Sequence, residues 1–199
     1  MEKPEKSLDA EFFNKMYEQN QDPWDFENSA YEREKYDATL KAIPKDKYKS
    51  VFEIGCSNGV LSEKLANFCE RLLAVDASSI AVENAKKRLA DYHFVEVQEM
   101  TIPKNFPEEQ FDLILFSEVG YFLSMEDLTL SRDKMIDALA PNGHLLLVHW
   151  TPFVEEFPLT GDQVHELFLQ SAEPESGILA HLYGRSETQY RLDLFEKKQ

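Results

Sequence analysis

Residues 51–59, VFEIGCSNG, form an apolar run that leads into a loop with two glycines. The run LLAVD, residues 72–76, is similar and ends in an acidic residue. A helical pattern at residues 60–68 separates the two runs. Because apolar strands that alternate with helices build parallel sheets, this segment predicts an α/β fold.

The same alternation continues along the chain. Helices are expected at residues 79–90, 125–139 and 163–171. The further core strands are HFVEV (93–97), FDLILF (111–116) and GHLLLVHW (143–150), the last opened by a turn at residues 141–143. Two later runs, ILAHLY (178–183) and TQYRLDLF (188–195), predict a closing hairpin with its turn at residues 184–187.

The N-terminal part is predicted to be helical. Helical patterns at residues 9–20 and 31–43 flank a turn at residues 22–24. We expect these helices to cover the ligand crevice. The whole chain, residues 1–199, is interpreted as one domain, with a helical cap at residues 1–48 and a Rossmann-like core at residues 49–199.

Composition narrows the possible functions. The 199 residues are 43% hydrophobic and 29% charged, which is typical of a globular chain. The net charge of -16 opposes binding to nucleic acid, whose affinity comes mainly from Lys and Arg. We see no secretory signal or membrane span, and expect a cytoplasmic monomer or weak homodimer, no metal and two reduced cysteines.

The glycine loop favours one class of nucleotide ligand. Open α/β sheets bind ligands at the carboxyl ends of their strands, where Asp76 has the spacing of a carboxylate that accepts ribose hydroxyls. A dinucleotide loop needs a middle glycine so that the backbone can approach a pyrophosphate. Here that position is Ser57 and the third is Val60. S-adenosylmethionine, which has no phosphate, is therefore favoured over NAD.

Four segments resemble the successive cofactor motifs of class I S-adenosylmethionine-dependent methyltransferases: VFEIGCSNG (51–59), LLAVDAS (72–78), FDLILFSEV (111–119) and GHLLLVHW (143–150). More narrowly, DPWDFENSAYEREKY (22–36), SEVGYF (117–122) and PLTGDQVHELF (158–168) resemble the nodulation protein S (NodS) family. Named members of that family N-methylate the amino sugar of a chitooligosaccharide. The resemblance implies a seven-stranded, mostly parallel sheet with the last strand antiparallel and helices on both faces.

The resemblance also implies a set of cofactor contacts. Gly55 and Gly59 would lie along the methionine part, Asp76 would hold the ribose, and Glu99 with Met100 would border the adenine. The other expected contacts are Glu53, Cys56, Ala77 and Ser117.

Three residues before the sheet match aromatic and basic positions of the family. Trp24 would cover the sulfonium by cation–π attraction, beside Tyr31. Lys35, with Arg33 as second choice, would hold the cofactor carboxylate. In the alternative interpretation Trp24 only packs the cap and both cations face solvent.

Two residues at strand ends are candidates for catalysis. Methyl transfer to an amine needs a group that removes a proton from the nucleophile. Glu118 follows the fourth strand and His149 ends the fifth, so both are expected to point into the crevice. The alternatives are a capping carboxylate and a hydrogen-bonded structural histidine.

A further set is expected to contact the substrate. Asp162 and His165 have i, i+3 spacing near a helix start, which suits a substrate clamp or an ordinary cap made by Thr160 or Asp162. Tyr121 and Trp150 are interpreted as an apolar or sugar-stacking wall.

The sequence therefore predicts an enzyme that methylates a small molecule and releases S-adenosylhomocysteine. N-methylation of an amine or amino sugar is favoured. The alternatives are O- or S-methylation, and a module that binds the cofactor without catalysis.

Overall fold

The computed structural model describes residues 4–173 and 177–199. In this part of the chain the helices are α1 (Ala10–Gln19), α2 (Ala30–Ala42), α3 (Val60–Leu65), α4 (Ser79–Arg88), α5 (Met125–Ala138) and α6 (Gly161–Gln170). The strands are β1 (Val51–Ile54), β2 (Leu72–Asp76), β3 (Val95–Glu99), β4 (Phe111–Ser117), β5 (Leu139–Trp150), β6 (Leu179–Ser186) and β7 (Tyr190–Lys197). Short 3-10 helices cover Ala66–Phe68 and Gly120–Phe122.

The strands that the structure describes form one seven-stranded sheet in the order β3-β2-β1-β4-β5-β7-β6. Strand β7 is antiparallel to both of its neighbours, while β1, β2 and β3 are parallel to one another and β4 is parallel to β5. The predicted Rossmann-like sheet with its last strand antiparallel is confirmed.

The described chain divides into two compact units, one of which is residues 9–101. Its core consists of β1, β2 and the apolar faces of the helices, and Val51, Phe52 and Leu72 are fully buried. Helices begin where small polar side chains accept backbone N–H bonds, as at Asp9 for α1 and Ser78 for α4. These caps explain why the predicted helices begin where they do.

The other unit contains the described residues up to 8 and those from 102 onward. Its core includes Phe116, Phe168 and Phe195, all fully buried. Helix α6 begins at a capping box in which Thr160 and Gln163 exchange side-chain and backbone hydrogen bonds. The capping interpretation of this helix start is therefore confirmed for Thr160.

Two predicted turns belong to strands instead. Residues 184–186 continue β6 and pair with β7, so the hairpin turn lies at residues 187–189. Gly184 is required there because a Cβ would lie 2.8 Å from Oδ1 of Asp193. Strand β5 already begins at Leu139, and residues 141–143 form an irregularity within it, where Asn142 has a φ of 59°.

Within residues 4–173 and 177–199, no helix combines the length and the apolar character needed to cross a membrane. Cys56 and Cys69 are buried thiols without a disulfide. Burial raises the pKa of the Cys69 thiol to about 11 and that of Cys56 well above its usual value.

Candidate functional site

The glycine loop after β1 contains three left-handed backbone positions. Gly55, Ser57 and Gly59 have φ angles of 86°, 50° and 81°. Glycine adopts this conformation freely, whereas serine is strained in it. At Gly59 a Cβ would also lie 3.3 Å from Ala85, so helix α4 packs directly against the loop. Glycine is therefore favoured at position 59 for two reasons: the backbone there is left-handed, and a side chain would press against Ala85.

Asp76 holds this loop from the end of β2. Its carboxylate accepts hydrogen bonds from the backbone N–H groups of Ser57, at 2.9 Å, and Ser78, at 2.8 Å. Burial raises the pKa of the Asp76 carboxyl, and the backbone hydrogen bonds of Ser78, Ser57 and Ala77 oppose that rise. The carboxylate is therefore fixed beside the loop by the backbone itself.

The end of β3 lies beside the end of β2. Glu99 is the register partner of Asp76, and the N–H of Met100 donates to the carbonyl of Asp76 at 2.9 Å. The residues expected to border an adenine are thus adjacent to the residue expected to hold a ribose. Their contacts with a cofactor stay a prediction.

Glu53 is a carboxyl buried inside the same unit, only 1% exposed. Burial raises its pKa to about 7, the Ser62 hydroxyl lowers it, and the charge of Asp76 raises it further. Within the described residues Oε2 of Glu53 makes no hydrogen bond, and the same is true of Oδ1 of Asn58 in the loop. Two buried acceptors near the loop therefore have no hydrogen-bond partner among the described residues.

The first helix also contacts the loop, through a residue that the sequence analysis missed. The hydroxyls of Tyr17 in α1 and Ser57 form a hydrogen bond. The ring of Tyr17 packs edge to face on Trp24 at 5.7 Å, and Trp24 stacks on Phe26 at 5.5 Å. Trp24 thus belongs to an aromatic cluster attached to the loop. Its predicted contact with a sulfonium is not tested by these distances.

Lys35 is buried in α2. Its Nζ lies 3.0 Å from the carboxylate of Glu32 and 5.3 Å from the ring centroid of Tyr31. Arg33 is exposed and donates to the carbonyl of Asn28 at 2.8 Å. Of the two predicted carboxylate partners, Lys35 is the buried one, and its charge is balanced by a carboxylate of its own helix. The assignment of Lys35 to the cofactor carboxylate stays a prediction.

Arg88, at the end of α4, is a second residue that sequence reasoning missed. Its Nε donates to the carbonyl of Asn58 at 2.9 Å, and its guanidinium also pairs with Glu63 and Glu27. Arg88 therefore ties the loop to α3 and to the segment before α2. A basic residue in the last turn of a helix looks ordinary in sequence, so no signal identified it.

In the unit that contains residues 102–199, Glu118 follows β4 in a left-handed conformation, with a φ of 57°. Its Oε2 accepts hydrogen bonds from the Tyr121 hydroxyl, at 2.6 Å, and from the N–H of Trp150, at 2.9 Å. Backbone strain in a residue other than glycine is a common feature of functional sites. The structure thus brings together one predicted catalytic residue and both residues of the predicted wall, next to Ser117 at the end of β4.

His149 lies inside this unit and is fully buried. Its Nε2 accepts the backbone N–H of Gly120 at 3.1 Å, and its Nδ1 lies 3.1 Å from Nε2 of His165. Nδ1 of His165 lies 2.6 Å from Oδ2 of Asp193. We refer to His149, His165 and Asp193 as the buried histidine chain. Both ring nitrogens of His149 are engaged, which does not suit a proton acceptor for a substrate.

Asp162 and His165 do not share an exposed helix face, contrary to the arrangement expected for a clamp. His165 is fully buried, whereas the side chain of Asp162 is 62% exposed and lies 3.5 Å from Arg191. Arg191 in turn donates to Asp193 at 2.8 Å. The two predicted residues therefore belong to one polar network, with only Asp162 at the surface. Sequence reasoning missed Asp193. The signal that could have indicated it is a carboxylate between two leucines of the predicted strand.

No group of His, Cys, Asp or Glu side chains in the described ranges has the geometry of a metal site.

Comparison with known proteins identifies the family. The family model for nodulation protein S (NodS) matches residues 10–150. The chain belongs to the NodS family. Nodulation protein S of Bradyrhizobium diazoefficiens is 32% identical over 127 residues, which are 63% of this chain and 61% of that protein. The chain thus spans about three fifths of that relative.

Solved structures agree with the fold. A protein from Pseudomonas syringae inferred to be a methyltransferase is 37% identical, with a TM-score of 0.74 over 85% of this chain and 100% of that one. The N-methyltransferase NodS from Bradyrhizobium japonicum, solved with S-adenosylhomocysteine, is 23% identical and has a TM-score of 0.83 over 96% of this chain and 98% of that one.

The NodS family match covers some of the candidate site residues and not others. It includes the glycine loop, Asp76, Glu118 and His149, and it ends at Trp150. Helix α6 and strands β6 and β7 lie outside the matched residues. The buried histidine chain therefore joins a residue inside the family match to two residues beyond it.

Proposed function

We propose that this chain is an S-adenosylmethionine-dependent methyltransferase that acts on the nitrogen of a small amine, with amino sugars as the favoured substrate class. Membership of the NodS family supports the proposal. The observation that carries it is the Asp76 carboxylate, held at the end of β2 against the N–H of Ser57. A carboxylate in that position of an open α/β sheet suits the two hydroxyls of a ribose.

The residues of the loop fit this cofactor better than a dinucleotide. A pyrophosphate needs loop N–H groups that point at it, but the Ser57 N–H already donates to Asp76. The unpartnered buried acceptors of Glu53 and Asn58 suit the ammonium group of an amino acid moiety. Asp76, Glu53 and the loop would therefore hold the cofactor, with Glu99 and Met100 beside its base.

Bound S-adenosylmethionine supplies an electrophilic methyl carbon, and the S–CH3 bonding pair moves to sulfur as the new N–CH3 bond forms. An ammonium has no lone pair, so the acceptor must first lose a proton. Glu118 is the carboxylate that we assign to this proton. Tyr121 and Trp150 fix the orientation of Glu118 through the hydrogen bonds to Oε2, which favours transfer in one defined geometry.

The charge of the chain agrees with an amine substrate. A net charge of -16 attracts small cations and repels polyanions such as nucleic acids. Protonated amines would be concentrated near such a surface, and the effect would decline with added salt. The acidity therefore supports a cationic small molecule as substrate.

The proposal is tested by incubating the protein with S-adenosylmethionine carrying a labelled methyl group and a panel of amines, amino sugars, phenols and thiols. Labelled N-methyl product is expected. At a cofactor concentration below saturation it should be strongly reduced in Asp76→Ala but retained in Asp91→Ala, which removes an exposed carboxylate of the same unit. A labelled phenol or thiol product would move the acceptor atom to oxygen or sulfur. Binding of S-adenosylhomocysteine without turnover of any compound would favour a module that only binds the cofactor.

A further inference from the structure

The buried histidine chain ends on the turn that contains Glu118. We propose that His149, His165 and Asp193 act as positioning residues that hold this turn, and that His149 is not the proton acceptor predicted from its strand-end position. The inference rests on the proposed function only in taking Glu118 as the carboxylate of the acceptor site.

In the buried histidine chain, only one assignment of donors and acceptors satisfies every hydrogen bond. A backbone N–H is always a donor, so Nε2 of His149 accepts from Gly120 and the proton of this ring lies on Nδ1. That proton is donated to Nε2 of His165, whose own proton therefore lies on Nδ1. Nδ1 of His165 then donates to the carboxylate of Asp193. Both rings are neutral, and each donor faces one acceptor.

The carboxylate that ends the chain is fixed by charge. Asp193 is 1% exposed and accepts from Nε of Arg191 at 2.8 Å, while its other oxygen lies 2.6 Å from Nε2 of His181. Burial raises the pKa of Asp193, but the hydrogen bond from His165, the charge of Arg191 and the hydrogen bond from His181 outweigh it and lower the pKa overall. Burial also lowers the pKa of His165, against the hydrogen bond and charge of Asp193. An ionised Asp193 and a neutral His165 are the states that the chain requires.

The buried histidine chain ends, at His149, between the two segments that hold Glu118, one before Tyr121 and one before Trp150. Gly120 precedes Tyr121, whose hydroxyl donates to Glu118, and His149 precedes Trp150, whose N–H donates to the same oxygen. The bond from Gly120 to His149 therefore joins the two segments that supply the donors. If that bond opens, the two donors are no longer held together.

Helix α6 packs on both segments with no spare room. A Cβ on Gly120 would lie 2.6 Å from Val164, and a Cβ on Gly161 would lie 2.1 Å from the carbonyl oxygen of Trp150. Distances this short mean that the backbone of each segment is in direct contact with the helix that provides His165. The position of His165 is thus coupled to the Glu118 turn through packing as well as hydrogen bonds.

Two substitutions at His165 separate the roles of its nitrogens. The amide of Gln reaches the position of Nε2, so His165→Gln keeps an acceptor for His149. The shorter amide of Asn reaches only the position of Nδ1, so His165→Asn keeps the donor to Asp193 but leaves the Nδ1 proton of His149 without an acceptor. Because a buried donor without a partner is costly, the ring of His149 should then shift toward another acceptor, which weakens its bond from Gly120.

The measurement is NMR of the whole protein, with 15N spectra of the histidine side chains and hydrogen exchange of the backbone amides. In the wild type and in His165→Gln, His149 should be a neutral Nδ1–H tautomer. In His165→Asn the ring of His149 should be less firmly held, and we expect exchange at Gly120 and Trp150 to be faster by about tenfold relative to Leu146 in the middle of β5.

Leu128→Val is the control for a loss of stability alone, because Leu128 is fully buried in α5 and is not part of the buried histidine chain. It should leave the exchange of Gly120 relative to Leu146 unchanged. A wild-type His149 with its proton on Nε2 overturns the inference, and this measurement needs no variant to fold. Equal exchange of Gly120 in the Asn and Gln variants, or faster exchange that is uniform along β5, also overturns it.

These readouts need no methyl acceptor. If calorimetry shows no binding of S-adenosylhomocysteine, the proposed function fails while the tautomer and the exchange pattern still decide the role of the chain. If the cofactor binds but the tautomer differs, only the positioning role is lost.

Discussion

Replacing Glu53 by Gln should change how the stability of the protein depends on pH. Glu53 is 1% exposed, and burial raises the pKa of its carboxyl from 4.5 to about 7. Between these two pH values the folded protein keeps a proton that the unfolded chain has released. The contribution of Glu53 to the free energy of unfolding therefore falls as the pH rises through this window and is constant above it.

The size of the effect follows from the shift. One pKa unit corresponds to about 1.4 kcal/mol, so the full cost of ionising Glu53 in the folded protein is about 3 kcal/mol, most of which appears between pH 5 and pH 8.5. Gln cannot ionise, so Glu53→Gln removes this cost at high pH. For a chain of this size, a change of about 2–3 kcal/mol corresponds to a change in Tm of about 5–10 °C.

The assay is guanidinium unfolding of wild type and variant at a series of pH values from 5 to 8.5, without cofactor. The free energy of unfolding of Glu53→Gln minus that of the wild type should rise by about 2–3 kcal/mol across the series. Differences at one pH are less informative, because a buried Gln amide brings its own hydrogen-bonding cost. Glu70→Gln, at an exposed position of the same unit, is the control for removing a carboxylate. A difference between Glu53→Gln and wild type that is constant with pH would refute the argument.

Three further outcomes are expected. Asp76→Ala should weaken binding of S-adenosylhomocysteine by about 1.5–3 kcal/mol in calorimetry while the far-UV CD spectrum is retained, and unchanged affinity would remove the ribose assignment. Glu118→Gln should lower turnover of the accepted amine by at least about a hundredfold with near-normal cofactor affinity, and a normal rate would show that Glu118 only shapes the pocket. Gly120→Ala should destabilise the protein by about 1–3 kcal/mol in denaturant unfolding because its Cβ would overlap Val164, and wild-type stability would contradict that packing.

Much of the fold could be predicted because its signals are local. The strands are short apolar runs, and the helices begin at side chains such as Ser78 and Thr160 that cap them. Two turns were wrong for a physical reason. Gly184 looks like a turn residue, but it continues β6 and leaves room for the carboxylate of Asp193, nine residues later in the sequence and its register partner on β7.

The candidate cofactor residues were predictable for a related reason. The loop of residues 55–59 and Asp76 lie at the ends of consecutive parallel strands, so sequence order alone makes them neighbours in an α/β sheet. Tyr17, which bonds to Ser57 across 40 residues, could not be found in this way. A tyrosine on an amphipathic helix has no pattern that indicates its partner.

The α/β class, the glycine loop, the carboxylate after β2 and the residue types at the strand ends follow from the sequence alone, because each depends on neighbours along the chain. The surroundings of His149 and His165 depend instead on tertiary packing. Their spacing suited a base and a clamp, yet the packing of α6 against β5 and β7 removes both rings from solvent and places His149 beside His165 and His165 beside Asp193. The role of a histidine depends on which donors and acceptors face its two nitrogens, and that is set by segments distant in sequence.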